Sequence, residues 1–103
     1  MPWYAIRTVY HFGVKDDGVN VYEERVVSFE ASDWPAAHAK AKAESRTYAN
    51  DQGFSVHSTQ VGYEQDGAPL IDGYEVWSQL YESDLSLNDF FVERYAKYDY
   101  HPD

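Results

Sequence analysis

A short junction between a β-type run and an alanine-rich helix constrains the fold of this chain more than any other feature. The run Val19–Phe29 passes through Ala31–Pro35 directly into a helical stretch that ends near Tyr48. Ser32 or Asp33 caps this helix, and the proline of the junction fits its first turn, where no N–H is needed. So short a connection forces the helix back across one face of the strand's sheet, and the other elements must pack around that unit.

The periodicity of the remaining sequence predicts an α+β domain with the element order ββαββα. An Asp17-Gly18 pair between two strand-like runs is typical of a hairpin turn. We expect one four-stranded antiparallel sheet with the first helix on one face, in a single domain over residues 1–103 whose residues 98–103 form a frayed tail. The predicted strands are Trp3–Phe12, Val19–Glu30, Phe54–Tyr63 and Ile71–Glu82, and the second predicted helix is Ser86–Tyr98.

Two of these strands carry patterns that leave the register open. In the second strand, Glu23 and Arg25 occupy odd-numbered positions, and so do the apolar residues of the strand, so all of them are expected on one face of the sheet. Either a bulge near Glu23 and Glu24 flips the register there, or charged side chains face the core. In the third strand the apolar residues lie at even-numbered positions before residues 58–60 and at odd-numbered positions after them, which predicts a bulge at that point.

Each predicted helix has one stripe of residues at helical spacing that we expect to be buried. Ser86 and Asp89 form a capping-box-like pair at the start of the second helix. The stripe of the first helix comprises Trp34, Ala37, Ala41, Glu44 or Ser45, and Tyr48. The stripe of the second comprises Leu87, Phe90, Phe91, Tyr95 and Tyr98.

The charge of the chain is strongly negative and unevenly distributed. Its 18 acidic and 8 basic residues give a net charge of −10, and the stretch from Thr47 to Glu93 contains no lysine or arginine. Such a field repels nucleic-acid phosphates and attracts basic partners. A negative surface that only keeps the protein soluble explains the same composition.

The sequence lacks the residues that several classes of function require. The absence of cysteine excludes disulfides, zinc thiolates and thiol chemistry. The four histidines have no metal-binding spacing, and no nucleotide-binding or nucleophile motif is present, so we expect no metal, no cofactor and no enzyme activity. No apolar run reaches the roughly 18 residues needed to cross a bilayer. Without a signal-peptide pattern at the start, a cytoplasmic protein is expected.

One charged cluster suits the binding of an anion or acid–base chemistry. The first hairpin is expected to bring Arg7, Glu23, Glu24 and Arg25 side by side. Opposed carboxylates and guanidinium groups are suited to either task. Cross-strand ion pairs with a structural role explain such residues more often.

Five short motifs, spread in order over nearly the whole chain, carry a resemblance to a known family. They are Trp3–Arg7, Tyr22–Val27, Ala31-Ser32 with Ala37 and Ala41, Glu75–Ser78, and Ser83–Ser86. Together they resemble the landmarks of the bacterial domain-of-unknown-function family numbered 4288. The resemblance implies a small stand-alone bacterial cytoplasmic domain without a cofactor, and it brings no activity and no catalytic residue.

Two hypotheses for function follow from these patterns. The first is a non-catalytic module that masks a basic protein, as an immunity protein or another inhibitor of a nuclease-like toxin does, because aromatic anchors supply affinity and complementary charge selects the partner. The partner-binding residues predicted for it are Glu64, Asp66, Asp72, Tyr74, Glu75, Trp77, Tyr81, Glu82 and Asp84. The second is a dimeric α+β domain that binds a small ligand between its subunits or carries out weak acid–base chemistry there, with the cluster of Arg7 and Glu24 as its site.

Overall fold

Strand β1 (Trp3–Val14) lies at the centre of a four-stranded antiparallel sheet in the computed structural model, which describes residues 1–65 and 72–100. Strand β2 (Asn20–Glu30) pairs with one edge of β1, and the short strands β3 (Ser55–Val56) and β4 (Val61–Glu64) share its other edge. Helix α1 (Trp34–Gln52) follows β2, and helix α2 (Leu87–Phe91) follows β4. The predicted α+β fold, with four antiparallel strands and two helices in the order ββαββα, is confirmed.

The first hairpin turns at the predicted Asp-Gly pair. The carboxylate of Asp17 accepts a hydrogen bond from the backbone N–H of Val19 at 3.0 Å, and Gly18 takes a positive φ of 88°. The register then runs without interruption past Glu23 and Glu24, and the bulge lies at Phe12 on the opposite strand. Of the two alternatives for β2, charged side chains that face the core are therefore correct.

Helix α1 begins and ends at residues suited to those positions. The side chain of Asp33 accepts a hydrogen bond from the N–H of Ala36 at 2.9 Å and caps the first turn. Gly53 ends the helix with a φ of 75°, a left-handed conformation that glycine adopts without strain. The helix therefore continues for about one turn beyond the predicted end at Tyr48.

The core lies between α1 and one face of the sheet, which we call the helix face. Small residues of α1 at four-residue intervals, Ala37, Ala41, Ser45 and Ala49, are buried and let the helix approach the sheet closely. Trp34 and Tyr48 close the two ends of this layer. Their ring centroids lie 4.6 Å from that of Tyr4 and 5.0 Å from that of Tyr10, respectively.

The predicted third strand, Phe54–Tyr63, is irregular where the prediction placed a bulge, but it is divided there into two short strands, β3 and β4. Between β3 and β4 the chain leaves the ladder, and the amide of Gln60 fills the gap between sheet and helix. Its Nε2 donates to Thr8 Oγ1 at 2.8 Å and lies 3.3 Å from Ser45 Oγ. A half-buried glutamine that bonds both layers therefore occupies the gap in the strand pairing.

The predicted fourth strand over Ile71–Glu82 is wrong for the described residues 72–82, which contain no strand. Both edges of β1 are already occupied, by β2 on one side and by β3 and β4 on the other. Residues 77–81 instead lie over the other face of the sheet, which we call the second face, and Arg7 of β1 contacts both Trp77 and Gln79 there. The alternation of residues in this segment therefore reflects side-chain contacts with the second face of the sheet and not backbone pairing with another strand.

The predicted buried stripe of the second helix is also wrong. Ser86 caps α2 as expected, since its hydroxyl accepts a hydrogen bond from Asp89 N at 3.2 Å. The helix then widens into a π-helical stretch, Val92–Ala96. Of the five predicted stripe residues only Phe90 is half-buried, and Leu87 is 87% exposed. In the described part of the chain, α2 has no Cα within 8 Å of a strand or of α1, so the stripe does not pack on the sheet or on the first helix.

Candidate functional site

The sheet separates the four residues that the sequence predicted as one ligand site. Arg7 and Glu24 project from the second face, whereas Glu23 and Arg25 project from the helix face, because successive residues of a strand alternate between faces. The cluster is therefore two pairs on opposite sides of the sheet. Each pair contacts residues that are distant in sequence, namely Glu44 and Tyr48 on the helix face and Arg94 on the second face.

On the helix face, Arg25 is fully engaged in structural contacts. Its guanidinium forms a two-point ion pair with Glu44 of α1 at 2.8 and 2.7 Å and lies 3.8 Å from the ring centroid of Tyr48. The hydroxyl of Tyr48 donates to Glu23 at 2.8 Å. That hydrogen bond, followed by burial, raises the pKa of Tyr48, and the hydrogen bonds to Glu44 raise the pKa of Arg25. Because these half-buried groups satisfy one another, they join the sheet to α1 and have a structural role.

On the second face, a groove of about 450 Å³ opens between the sheet and the C-terminal segment, residues 72–100. We call it the arginine groove and define it by Arg7, Glu24, Trp77, Tyr81 and Arg94, which line it. One guanidinium faces each oxygen of the Glu24 carboxylate, with Arg7 Nη1–Oε1 and Arg94 Nη1–Oε2 both at 3.5 Å. Arg7 also donates to the side-chain oxygen of Gln79 at 2.7 Å.

Aromatic rings hold both arginines of this groove in place. The guanidinium of Arg7 lies 5.5 Å from the ring centroid of Trp77, and that of Arg94 lies 5.3 Å from the rings of Tyr81 and Tyr95. Arg94 also donates to the hydroxyl of Tyr81 at 3.1 Å. This contact lowers the pKa of Tyr81 and raises the pKa of Arg94, because it stabilises the charged form of each group.

The predicted partner-binding residues do not share one strand face. Glu64 ends β4 opposite Tyr4, whereas Trp77 and Tyr81 turn toward the two arginines of the second face. Glu75 accepts a hydrogen bond from the hydroxyl of Tyr63. Tyr74 is half-buried, Asp72, Glu82 and Asp84 are exposed, and Asp66 lies outside the described residues.

The structure shows instead a second groove, which the sequence did not predict. It has a volume of about 330 Å³ and lies between residues 79–86 and the start of α2. We call it the leucine groove and define it by Leu80, Leu85, Leu87 and Phe90, which line it. Leu80 is 94% exposed, although its place in the predicted strand gave it no distinct role.

Sequence reasoning missed Arg94 and Glu44 as functional or structural partners, because both act across long sequence separations. The one signal for Arg94 is that it is the first basic residue after the stretch that lacks lysine and arginine. Leu87 and Phe91 belong to the stripe that the sequence predicts to be buried, and both are exposed.

Searches of protein-family models, curated proteins and solved structures found no match to this chain. The resemblance to family 4288 therefore stays a prediction. Within residues 1–65 and 72–100, no helix has the length and apolar character that crossing a membrane requires. The same residues hold no group of three His, Asp or Glu side chains arranged for a metal ion.

Proposed function

We propose that this protein is a non-catalytic module whose leucine groove binds a basic protein. The observation that carries the proposal is the exposure of Leu80 and Leu87, which are 94% and 87% accessible although they line one groove. Large apolar side chains gathered at one exposed place mark interaction sites more often than side chains scattered singly. A partner that inserts an apolar side chain into the groove would remove both leucines from water.

Acidic residues around the groove favour a basic partner. Glu82 and Asp84 alternate in sequence with the residues that line it, and both are exposed. Asp89 and Glu93 follow on the adjoining helical stretch. An apolar centre with a charged rim is the common anatomy of a protein interface, and the rim charge governs the association rate and the choice of partner.

Exposed rings on the same helical stretch extend the surface available to a partner. Phe91 and Tyr95 lie one turn apart with their ring centroids 5.3 Å from each other, and both are more than half exposed. Aromatic residues supply much of the energy in protein interfaces because they bury a large area at a small entropic cost. An inhibitor or immunity-type protein that masks a basic, nuclease-like toxin would use such a surface, and this is the specific role that we propose.

The experiment is affinity capture from a lysate of the source organism, followed by binding measurements with the purified captured protein. The L80S/L87S variant removes the apolar groove, and V14S/V19S is its matched control, since Val14 and Val19 are also exposed and lie on the first hairpin. We expect a basic protein to bind the native chain and the control. We expect the groove variant to bind it at least about tenfold more weakly, which corresponds to about 1.4 kcal/mol.

A second pair of variants separates charge from apolar contact. The E82Q/D84N variant should slow association and reduce the dependence of affinity on salt, whereas D16N/D51N, with the same change in charge at exposed distant positions, should not. Capture of only acidic or neutral proteins contradicts the proposal. Equal binding by the groove variant and its control also contradicts it.

A further inference from the structure

We propose that the arginine groove binds an organic carboxylate, with Arg7 and Arg94 as its cationic ligands. The two grooves share Gln79 and Tyr81 in their linings, but Arg7 and Arg94 line only the arginine groove, so variants of the two arginines test this inference separately from the protein partner proposed above. The two arginines come from β1 and from the C-terminal helical stretch, and they converge on one carboxylate. The groove therefore already holds an anion, the side chain of Glu24.

The contacts to Glu24 leave much of the binding capacity of the two guanidinium groups unused. Both ion pairs measure 3.5 Å, whereas a well-formed bond between these groups measures about 2.7–2.9 Å. Two guanidinium groups face a single carboxylate, so the groove has a local charge of about +1 within a chain of net charge −10. Each guanidinium has five N–H donors, and in the described part of the chain the contacts of Arg7 and Arg94 use only some of them.

The arginines are also held in position before any ligand arrives. Gln79 and Trp77 fix Arg7, and the rings of Tyr81 and Tyr95 flank Arg94. Their side chains are only 16% and 30% exposed. A held, partly desolvated guanidinium loses less entropy on binding than a free one and binds a planar carboxylate through two parallel bonds.

The shape and charge of the groove favour a monovalent carboxylate with an apolar body. Its volume of about 450 Å³ falls within the usual range for small-molecule sites, about 300–1,000 Å³. Val26, Trp77 and Tyr95 supply the apolar lining. A phosphate monoester carries a charge of about −1.5 to −2, so the negative field of the whole chain opposes it more strongly than a carboxylate.

Glu24 would have to leave the arginines when the ligand binds. Its side chain is 45% exposed, so it has solvent to move into. A ligand carboxylate then replaces an intramolecular carboxylate, and the native affinity is reduced by that competition. Neutralising Glu24 should therefore strengthen binding.

The test is a titration of the native chain with benzoate, in which ¹H–¹⁵N NMR signals of the Trp77 indole and of the arginine Nε–H groups are monitored. Benzamide is the neutral probe of the same shape, and inorganic phosphate is the second anion. We expect benzoate to bind about tenfold more tightly than either. R7Q and R94Q should each weaken benzoate binding about tenfold, whereas R46Q, the same charge change at an exposed position of α1, should leave it unchanged.

The E24Q variant keeps the test decisive if an arginine variant fails to fold. We expect E24Q to bind benzoate about threefold more tightly than the native chain. Weaker or unchanged binding by E24Q overturns the proposal. Equal affinity for benzoate and benzamide overturns it, and so does a loss of benzoate binding in R46Q as large as that in R94Q.

Discussion

Arg25 and Glu44 join the sheet to helix α1 through two parallel hydrogen bonds of 2.8 and 2.7 Å. Their side chains are only 27% and 31% exposed, and the ring of Tyr48 lies against the guanidinium. The geometry is the planar two-point arrangement that arginine and carboxylate groups favour. This pair explains how a charged residue of β2 occupies a position on the helix face without a bulge.

Replacing Glu44 with glutamine should destabilise the fold by about 1–3 kcal/mol, because a half-buried guanidinium loses its charged acceptor. Urea denaturation measures the change in the free energy of unfolding. The E93Q variant is the matched control, since Glu93 pairs with Lys97 at 3.2 Å with both side chains 53% exposed, and such pairs contribute at most about 1 kcal/mol. An equal effect of the two substitutions would show that the pair on the helix face has no special role.

Replacing Gly62 with alanine should destabilise the protein by about 1–3 kcal/mol through overpacking. A Cβ atom at Gly62 would collide with Cζ3 of Trp34, so the indole must move. Gly13→Ala is the control, since no atom lies within 4 Å of a Cβ there. In a Trp34→Ala background the cost of Gly62→Ala should fall to under about 0.5 kcal/mol. An undiminished cost in that background would contradict the contact.

The stability of the protein should decline as the pH rises above about 10, and Tyr48 should contribute to the decline. Its pKa is raised in the folded state, chiefly by the hydrogen bond to Glu23, so the unfolded chain loses this proton first. The stabilisation that protonated Tyr48 contributes is complete below the ordinary tyrosine pKa, and it is lost as the pH rises through the pKa of Tyr48 in the folded state. Tyr48→Phe should therefore show a shallower alkaline decline in urea denaturation. An unchanged slope would contradict this assignment.

Neighbouring phenylalanines of α2 should respond differently to truncation. Phe90 is half-buried and its ring centroid lies 5.6 Å from that of Tyr81, whereas Phe91 is 56% exposed. Phe90→Ala should cost about 1–3 kcal/mol, and Phe91→Ala should change the stability by less than about 0.5 kcal/mol. Thermal denaturation of the two variants measures the difference. If Phe91→Ala is as destabilising as Phe90→Ala, both rings are buried as the sequence stripe predicted, and the described packing of α2 is contradicted.

Local patterns explain why the first half of the fold was predictable. The Asp17-Gly18 turn, the Asp33 cap and the Gly53 stop each depend on residues within a few positions of one another. The interruption of the third strand was visible as a change of parity at Gln60. These features are fixed by backbone chemistry that the sequence displays directly.

The second half depends on contacts that no local pattern contains. Residues 72–82 could have paired with an outer edge of the sheet, but residues 77–81 lie over its second face, where Arg7 of β1 contacts Trp77 and Gln79. The arginine groove needs Arg7 and Arg94, which are separated by most of the chain. Periodicity identified the apolar stripe of the second helix, but it does not distinguish a stripe that packs on a sheet from one that is exposed, as Leu87 and Phe91 are.

Site-specific photo-crosslinking from position 87 tests the binding role of the leucine groove most directly. A benzophenone-bearing amino acid replaces the exposed Leu87 in one sample and the exposed Ala43 of α1 in the control. We expect irradiation in a lysate to give an adduct with a basic protein from position 87 only, and the purified protein to give the same adduct. The absence of such an adduct, or its equal formation from position 43, would contradict the proposed function.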